Sequence, residues 1–428
     1  MAGTSTTDLN GLFKMAYADQ IQNLIPDESL LTRAIKFQGR DYLLGNQYNQ
    51  PVIVRSEQGF TYSRPNQGAF TLNPAQTMKT QNAIVDGFII MEQSGISYEA
   101  VARSDNVNSF RNAVDLVMGD AMESFGRRLE ISLLYGQSPT GLGGLTSATN
   151  VSTTSCTLAF ATGQWSAGLW TPLEGAQLNV FVSAAASAAL NTTGPVTVSS
   201  IDVVNKTITI TGAAADITAI DSGVTTGSLV RFYALDSSGN ASNGADEAIG
   251  LDKIMLNTGT LFGIDASVYS LWKANTYNVG SAALTLAKIQ AGVAIAAARG
   301  LAEDVEVYVN PSVWQELSTE QVAYRMLDSS YSAKKAVNGF EALEFFSQNG
   351  KLTVLAHKYC KEGEAFLFPA KRAVRIGSSD VSFNIPGTDN GQIFIQNPTT
   401  AGFTFRIFSQ QSLLVTRPAV CIKFTGIS

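Results

Sequence analysis

Histidine and cysteine are scarce in this chain. Its 428 residues include a single histidine, His357, and three cysteines, Cys156, Cys360 and Cys421. One histidine excludes metal motifs built on paired histidines and leaves any histidine-dependent catalytic triad with one candidate. Because the cysteines are odd in number and far apart, they form neither a disulfide framework nor a zinc knuckle. His357 follows a strand-like apolar run, so we expect it to be buried or at a sheet edge, in a structural hydrogen bond.

Charge is also sparse, and long apolar runs are missing. Charged residues make up 15% of the chain against 45% hydrophobic residues, with a formal net charge of −6. The negative balance argues against tight nonspecific binding of nucleic acid. No window approaches the roughly 18 apolar residues of a membrane span and no secretory signal is visible, so we expect cytoplasmic synthesis and no membrane partner. These charged and hydrophobic fractions are typical of a protein whose surface is largely buried in contacts with other chains, and they fit a multidomain enzyme equally well.

Recognisable catalytic motifs are missing as well. The glycines of Gly141–Leu145 match neither the dinucleotide nor the phosphate-loop pattern, and a helix end followed by a tight turn accounts for them. We therefore predict no catalytic residue, no metal site and no cofactor, and a protein that is not an enzyme.

The longest regular pattern runs from Ser104 to Tyr135 without proline and stops at Gly136. Apolar residues recur every three or four positions, which predicts one buried stripe on an amphipathic helix. The stripe comprises Phe110, Val114, Val117, Met118, Ala121, Met122, Phe125, Leu129 and Leu133. On the solvated face we place the charged residues Arg111, Asp115, Asp120, Glu123, Arg127, Arg128 and Glu130. A helix of this length suits a structural strut better than a catalytic pocket.

The chain before this helix divides into two regions. Residues 1–45 hold amphipathic stretches separated by Pro26 and have little core of their own, so we expect a terminal arm ordered by lying on other structure. Residues 46–103 read as extended runs around the turn residues Ser63–Gly68 and Asn73–Pro74, which predicts a long hairpin. A two-stranded ribbon is only marginally stable by itself, so it needs a neighbouring surface to pack against.

The region 146–245 has a different character. Only six charged residues occur between Thr146 and Leu235, namely Glu174, Asp202, Lys206, Asp216, Asp221 and Arg231. Alternating patterns at Val196–Val198, Ile201–Val203 and Thr207–Thr211 predict a small all-β insertion. Residues 236–245 are rich in glycine, serine and asparagine, which predicts a flexible linker.

From residue 246 the pattern becomes α/β. A helix face runs from Leu286 to Ala297, a buried strand covers Val305–Val309, and Asn310–Pro311 opens another helix. Further strands are predicted at Leu352–Ala356, Ala365–Phe368, Ala373–Ile376, Phe403–Ile407, Leu413–Thr416 and Val420–Phe424. The last three are expected to be long antiparallel strands.

In their order and spacing, several segments resemble one family, the major capsid proteins of tailed bacteriophages with the Hong Kong ninety-seven type of fold. The segments that carry the resemblance are Gly39–Val52, Leu134–Gly136, Gly141–Leu145, Gly263–Trp272, Val307–Trp314 and Leu413–Phe424. The resemblance covers nearly the whole chain except the β-rich insertion.

The resemblance implies an α+β fold of six parts. These are an N-terminal arm at 1–45, an extended E-loop hairpin with flanking P-domain strands at 46–103, the P-domain spine helix at 104–145, the inserted all-β domain at 146–245, an α/β A-domain at 246–400, and C-terminal strands that complete the long P-domain sheet at 401–428. The insertion departs from the minimal family pattern and is expected on the outer surface of the capsomer.

The function implied is assembly rather than turnover. Such a protein forms the pentamers and hexamers of an icosahedral head shell that encloses the double-stranded DNA of a tailed phage. Expected partners are further copies of itself, a separate scaffolding protein, a portal, a decoration protein, and packaged DNA through weak nonspecific contacts. The expected location is the virion capsid, with the host cytoplasm during assembly.

Three charged residues of the predicted E-loop, Arg55, Arg64 and Lys79, are the candidates to meet carboxylates of a neighbouring subunit. Solvated surface is an equally good reading of the same three residues. Some relatives crosslink an E-loop lysine to a neighbour's asparagine, but the sequence identifies no acceptor for Lys79.

Two other classes stay open. A shell protein of an encapsulin-type bacterial nanocompartment would share this fold, although it would not normally carry such a β insertion. A β-rich extracellular adhesin or hydrolase is favoured by the serine, threonine and alanine content of 146–245, and disfavoured by the missing signal and catalytic set.

Overall fold

The computed structural model describes residues 29–39, 47–66, 68–99, 113–236, 238–326, 343–347, 350–383, 393–396 and 401–428. These residues fall into two compact units. The smaller unit holds 92–99, 113–125, residue 383, 393–396 and 401–407, and the larger unit holds the others. None of the described helices combines the length and apolarity that a membrane span requires.

The first described segment packs on the larger unit. It forms helix α1 (Leu30–Ala34) and strand β1 (Phe37–Gly39), which pairs in parallel with residues 375–377. Leu31 and Ile35 are fully buried, and their spacing of four residues puts them on one side of the helical turn. Within the predicted arm, residues 29–39 are therefore ordered by packing on other structure, while residues 1–28 and 40–45 lie outside the described residues.

A long antiparallel ribbon follows. Strands β2 (Gln47–Arg55) and β3 (Lys79–Asp86) pair along their whole length, so the predicted hairpin is present. The tip residues 56–66 and 68–78 carry no strand. The ribbon continues after Gly87 into strand β4 (Phe88–Ser97).

Helix α2 (Ala113–Tyr135) confirms the predicted long helix over the described part of its range. Phe110 and Arg111, where the predicted pattern begins, lie outside the described residues. Leu129 and Leu133 are buried as predicted, but Met122 is 42% exposed. At the C-terminal end, the Gly136 amide donates to the carbonyl oxygen of Ser132 at 2.8 Å. A Cβ at Gly136 would lie 1.9 Å from the Ala248 carbonyl oxygen, so the close approach of two backbones requires glycine there.

The solvated face predicted for α2 is wrong at two positions. Arg127 is 8% exposed and Glu130 is fully buried. The N-terminal segment covers this face, because the Leu31 amide donates a hydrogen bond to the Glu130 carboxylate. A helical period identifies the apolar face, but it carries no information about which distant segments cover the opposite one.

Six strands after α2 close into a barrel. They are β5 (Gly143–Ser152), β6 (Ser155–Phe160), β7 (Gln177–Phe181), β8 (Val196–Asp202), β9 (Thr207–Thr211) and β10 (Leu229–Phe232). Their order around the barrel is β10-β5-β6-β9-β8-β7. Alternate residues such as Val196, Val198, Ile208 and Ile210 are buried, as expected for side chains that fill the interior of a small barrel.

The β-rich region also contains helices, so the prediction of an all-β insertion is wrong in this detail. These helices are α3 (Ala167–Trp170) and α4 (Ala214–Gly223). Ile217 and Ile220 of α4 are fully buried within the same core as the barrel side chains. The local helical pattern of this short alanine-rich stretch is weak, so packing on this core is what stabilises it as a helix.

The predicted flexible linker at 236–245 is instead a hydrogen-bonded turn. One oxygen of the Asp236 carboxylate accepts from the amides of Ser238 and Asn240, at 2.9 Å each. Ser242 is buried, and its hydroxyl donates to Asp246 at 2.6 Å. Asp and Asn side chains stabilise turns by such local bonds, and composition alone does not distinguish this from a coil.

The barrel is fastened to the larger unit at a loop around residue 362. The Glu362 amide donates to the Trp165 carbonyl at 2.9 Å, and the Gly363 amide donates to the Gly163 carbonyl at 2.8 Å. The Lys206 ammonium also pairs with the Glu362 carboxylate at 2.5 Å. Main-chain bonds at two positions and an ion pair make the barrel a fixed part of the larger unit.

Three further helices lie between and beside the strands of the larger unit. They are α5 (Leu251–Leu256), α6 (Leu286–Ala298) and α7 (Pro311–Met326), and short 3₁₀ turns occur at Thr171–Leu173, Ser270–Trp272, Ala370–Arg372 and Pro418–Val420. Helices α6 and α7 confirm the predicted pair. Two short strands, β11 (Thr260–Leu261) and β12 (Ile264–Asp265), form a small hairpin after α5.

A mixed six-stranded sheet completes the core of the larger unit. Its strands are β13 (Asn275–Ala282), β14 (Val305–Val309), β15 (Leu343–Ser347), β16 (Gly350–Ala356), β17 (Glu364–Phe368) and β21 (Ile422–Ile427). Their order is β13-β21-β17-β14-β16-β15. Every residue of β17 is buried, which is typical of a strand covered on both faces.

The remaining strands are β18 (Ala373–Ser382), β19 (Phe394–Gln396) and β20 (Gly402–Val415). In the larger unit, β18 pairs with β1 and with residues 408–415 of β20. In the smaller unit, β19 pairs with residues 403–405 of β20, and β4 also pairs with β20. The strands predicted at Phe403–Ile407 and Leu413–Thr416 are thus one continuous strand.

The last predicted strand lies in a different sheet from its expected partners. Strand β21 pairs with β13 and β17 in the six-stranded sheet, whereas β20 pairs with β18 and β19. The expectation that residues 401–428 complete one sheet is therefore wrong. The 3₁₀ turn at Pro418–Val420 separates the two strands and redirects the chain.

Candidate functional site

A buried carboxylate, Glu130 of α2, holds the N-terminal segment. It accepts hydrogen bonds from the Leu31 amide at 2.6 Å and from the Thr32 amide at 3.0 Å. The Thr32 hydroxyl also donates to it. His357, which follows β16, contacts the same carboxylate through Nε2 at 3.0 Å. Several donors compensate the burial of the negative charge.

His357 is fully buried, as the sequence analysis expects, and its hydrogen bonds assign its protonation. The Tyr359 amide donates to Nδ1 at 3.3 Å, so Nδ1 presents a lone pair. The ring proton therefore lies on Nε2, which donates to Glu130. The enclosed ring orients the Glu130 carboxylate and has no surface exposed to solvent.

Arg375 of β18 holds the opposite side of the N-terminal segment. Its guanidinium donates to the carbonyl oxygens of Ile35 at 2.9 Å and Thr32 at 3.3 Å, and it also pairs with Asp380 at 3.0 Å. Glu130 thus binds amides of the segment while Arg375 binds its carbonyl groups. Both side chains recognise main-chain atoms, and the buried Leu31 and Ile35 side chains add apolar contact.

A second buried polar cluster joins α5, β17 and β21. The Lys423 ammonium contacts Asp252 and Glu364, the latter at 3.0 Å. Burial by itself would lower the pKa of Lys423, but the two carboxylates raise it overall. Burial likewise acts to raise the pKa of Glu364, yet Lys423 and Lys361 hold it below its usual value.

Lys361 extends this cluster toward the barrel. Its ammonium donates to the Thr140 hydroxyl at 2.8 Å and to the Gly141 carbonyl at 3.1 Å, and it lies 4.3 Å from the Tyr135 ring centroid. Burial is the main cause that lowers the pKa of Lys361 and raises that of Tyr135. The cluster therefore connects the end of α2, the start of the barrel and the central sheet.

Neither cluster is an open reaction site. Glu130, His357, Asp252, Lys361 and Lys423 are each at most 1% exposed. Within the described ranges, no group of three or more histidine, cysteine, aspartate or glutamate residues could hold a metal ion. The arrangement therefore stabilises the packing of distant segments.

The hairpin tip exposes an unusual number of large apolar side chains. They are Phe60 at 64%, Tyr62 at 91%, Phe70 at 50%, Leu72 at 71% and Met78 at 53%, with Ile53 of β2 at 62%. The tip is nevertheless held in shape, because the Gln58 amide donates to Gln76 at 3.1 Å and the Asn73 side chain donates to the Phe60 carbonyl at 2.8 Å. A concentrated apolar surface of this kind is characteristic of a contact site for another molecule.

The root of the ribbon is anchored on the larger unit. The Ile84 amide of β3 donates to the Phe262 carbonyl at 2.9 Å, and Ala83 and Val85 are buried. The Lys79 ammonium lies 5.6 Å from the ring centroid of Tyr269. A hydrogen bond with Lys79 is the main cause that lowers the pKa of Tyr269, and the charge of Arg55 contributes. The paired part of the ribbon is thus held on the larger unit from Ile84 to Lys79, while the tip between the two strands is exposed.

The structure brings two of the three predicted contact residues together. Arg55 and Lys79 are paired across the ribbon, where β2 and β3 end. Arg64 lies apart from them, in the tip. Like charges at opposite positions of a ribbon are generally unfavourable, so this end of the ribbon would attract a carboxylate supplied from outside.

Sequence reasoning missed Glu130, Arg375 and the N-terminal segment that they hold. The Glu130 contacts join residues 99 and 227 positions apart in the chain, and those of Arg375 span 340 positions. A charged residue on a helix is normally solvated, so the period of α2 offered no signal. The lack of other histidines made His357 conspicuous but did not identify its partner.

Comparison with known proteins defines the class of fold. No protein-family model and no curated protein sequence matches the chain. Solved structures do match it, and they show that this mixed helix-and-strand chain has the fold of phage capsid proteins. At the low sequence identities involved, the likeness concerns the fold alone.

The particular structures are capsids. The cyanophage A-1(L) capsid asymmetric unit matches with a TM-score of 0.57 and 11% identity, covering 99% of both chains. The capsid of the native GTA particle matches with a TM-score of 0.51 and 8% identity, covering 100% of both chains. The capsid of Myoviridae phage XM1 matches with a TM-score of 0.51 and 9% identity, covering 98% of both chains.

Proposed function

We propose that this chain is the major capsid protein of a tailed bacteriophage. Its copies assemble into pentamers and hexamers, which form the icosahedral head shell around double-stranded DNA. The protein acts through assembly and has no catalytic activity. Its location is the virion capsid, and the host cytoplasm during assembly.

The observation that carries the proposal is the extent of the fold match. With the cyanophage A-1(L) capsid structure, 99% of this chain corresponds to 99% of the other. The barrel and the hairpin are included in that length, so the likeness is not limited to one common supersecondary motif.

The exposed hairpin supports the same function. A rigid ribbon with apolar side chains at its tip gains stability by burying them against a neighbouring subunit, at roughly 25 cal/mol for each Å² of apolar surface. We propose that this hairpin is the E-loop. In a ring or shell, every copy both presents the hairpin and receives one, so many modest contacts add.

The charged residues of the hairpin supply the polar part of this contact. Arg55, Lys79 and Arg64 meet carboxylates of an adjacent subunit, and the Arg55–Lys79 pair is the stronger candidate because its repulsion is then relieved. Contact with packaged DNA is weak and nonspecific, since the chain carries a net charge of −6. A scaffolding protein, a portal and a decoration protein complete the proposed set of partners.

Electron microscopy of the recombinant chain tests the proposal. We expect closed shells or ring-shaped capsomers. The variant Phe60→Asp with Tyr62→Asp should remain monomeric, because it places charges where apolar contact is needed. Val204→Asp is the matched control, since Val204 is 89% exposed in a barrel turn and lies outside the hairpin.

The outcomes separate a shell protein from a monomeric adhesin or hydrolase. Assembly by the parent chain and by Val204→Asp, with loss in the hairpin variant, supports a shell built through the hairpin. A parent chain that stays monomeric at high concentration, or shows hydrolytic activity, contradicts the capsid function.

A further inference from the structure

A small pocket lies in the larger unit beside the end of α2. Its volume is about 150 Å³. The first residues of β4, the last turns of α2 and the chain that leaves the barrel all contribute to its wall. Its principal apolar lining residues are Ile89, Ile90, Ile131, Leu142, Phe232 and Ala234. The pocket therefore exists only because the barrel is attached at this position.

Two carboxylates line one side of this pocket. Asp246 is exposed, and its carboxylate accepts a hydrogen bond from Ser242 at 2.6 Å. Glu247 accepts from the Gln137 amide at 3.3 Å and lies 3.9 Å from Arg231. Burial raises the pKa of Glu247, partly offset by Arg231 and Arg128. The pocket thus combines an apolar wall with acidic groups at its edge, and Arg128, also in the lining, lies over the Phe232 ring.

The size of the pocket fits one aromatic ring. An apolar protein cavity of about 150 Å³ is large enough to bind benzene. The rings of Phe60 and Tyr62 in the hairpin tip are exposed, and Arg64 follows at the same spacing of two residues. The tip therefore offers an aromatic ring and, two residues further along the chain, a cation.

Resting on the proposed function, we propose that this pocket receives the Tyr62 ring from the hairpin of a second copy of the chain. The ring occupies the apolar wall beside Phe232, and Arg64 lies against Asp246 and Glu247. Aromatic side chains anchored in pockets of this kind dominate the energetics of many protein interfaces. The barrel thereby gains a role as part of the receptor for a neighbour's hairpin.

The occupant comes from another copy. Tyr62 is 91% exposed in its own chain, so its own pocket does not hold it. The nine residues of β2 span about 30 Å at 3.4 Å per residue, which carries the tip well away from the ribbon's root. Both complementary parts are present on every copy, as a head-to-tail contact in a ring requires.

Photo-crosslinking tests the contact directly. Tyr62→p-benzoylphenylalanine keeps an aromatic side chain and marks its neighbours in assembled particles. We expect crosslinks between two copies, mapped by mass spectrometry to residues 89–90, 232–234 or 246–248. Val204→p-benzoylphenylalanine, equally exposed but outside the hairpin, should not label these residues. Crosslinks from position 62 that map elsewhere in well-formed particles overturn the inference while the capsid function stands.

Substitutions give a second measurement. Tyr62→Phe should assemble like the parent, because the ring is retained. Tyr62→Ala, and Ala234→Phe, which fills the pocket, should each raise the concentration needed for assembly by about tenfold or more. Monomer unfolding should be unchanged in Tyr62→Ala, which separates an assembly defect from misfolding. Unchanged assembly of both Tyr62→Ala and Ala234→Phe would contradict the contact. Failure of the parent chain to assemble would instead contradict the proposed function, on which the contact rests.

Discussion

A buried carboxylate needs several hydrogen-bond donors to offset its desolvation, and Glu130 has them from two distant segments. The amides of Leu31 and Thr32 lie on one side and the His357 ring on another. Removing the negative charge therefore weakens several bonds at once. The residue joins α2, the N-terminal segment and the loop after β16 into one packed region.

Glu130→Gln should lower the free energy of unfolding by about 3 kcal/mol, because the amide turns a donor toward groups that themselves donate. Urea denaturation measures the change, and hydrogen exchange at the Leu31 amide should accelerate. Glu316→Gln, at an exposed position of α7, is the control and should stay within about 0.5 kcal/mol. Equal effects at both positions would contradict the anchoring role of Glu130.

Lys423→Met should cost about 3–5 kcal/mol at neutral pH, since Asp252 and Glu364 then lose their shared cation. The exposed Lys273→Met is the control.

In the parent protein, the lowered pKa of Glu364 means that stability is lost as the pH falls through that value. Without Lys423, Lys361 is the cation left among the described residues to oppose the effect of burial, so the pKa of Glu364 rises and acidification costs the variant less stability than the parent. The difference between parent and variant should shrink from pH 7 to about pH 4.5 in urea denaturation; a constant difference would refute this coupling.

At the scale of elements, α2 contains glycines with opposite roles. A Cβ added at Gly126 would meet nothing within 4 Å, whereas one added at Gly136 would collide with the Ala248 carbonyl oxygen. Gly126 therefore weakens the helix without serving a close contact in this chain. Gly136 ends the helix and permits the backbone of residues 248–250 to approach.

Gly126→Ala should raise the free energy of unfolding by roughly 0.5–1 kcal/mol, the ordinary difference between the two residues in a helix. Gly136→Ala should destabilise the protein by more than this, because two backbones must separate. Thermal unfolding of the two variants checks both signs. A destabilised Gly126→Ala would show that the residue has a contact or motion beyond the fold described here.

At the scale of the whole molecule, the hairpin presents apolar side chains that its own chain leaves exposed. Its root is anchored at Phe262 and Tyr269, while its tip side chains stay exposed. Arg55 and Lys79 are register partners of like charge, an arrangement that is generally repulsive. An acidic neighbour would convert that repulsion into attraction across the interface.

Replacing both charges, as Arg55→Gln with Lys79→Gln, should raise the protein concentration needed for assembly severalfold. The dependence of assembly on salt should weaken at the same time, since exposed ion pairs are screened over about 8–10 Å at moderate ionic strength. Lys79→Gln also removes the contact of Lys79 with Tyr269, so monomer unfolding is measured alongside to separate an assembly defect from a loss of stability. Light scattering across a salt series measures both effects. Lys273→Gln with Lys371→Gln, also exposed, is the charge-matched control, and an identical response of the two double variants would exclude a specific role for the hairpin pair.

Much of the element content of the larger unit was predictable from local pattern. The end of α2 at Tyr135, strands β8 and β9, and the α6–β14–α7 succession all follow from periodicity and from glycine or proline at their ends. The turn at Asp236 and helix α4 were not predictable, because weak local preferences yielded there to specific hydrogen bonds and burial. Of the candidate site, the sequence identified the charges of the hairpin, but not the exposure of its tip nor the pocket beside Phe232.

The sequence by itself determined the local elements and their order, since a helix or strand is specified by side chains within a few positions of one another. Only the tertiary structure decided that the β-rich strands close into a barrel, that β21 leaves the sheet of β20, and that Glu130 is buried. These outcomes depend on contacts between residues far apart in the chain, such as the 227 positions between Glu130 and His357. The local period of a helix or strand does not specify which distant segment will pack on a given face. Whether the residues on that face are buried depends on that packing.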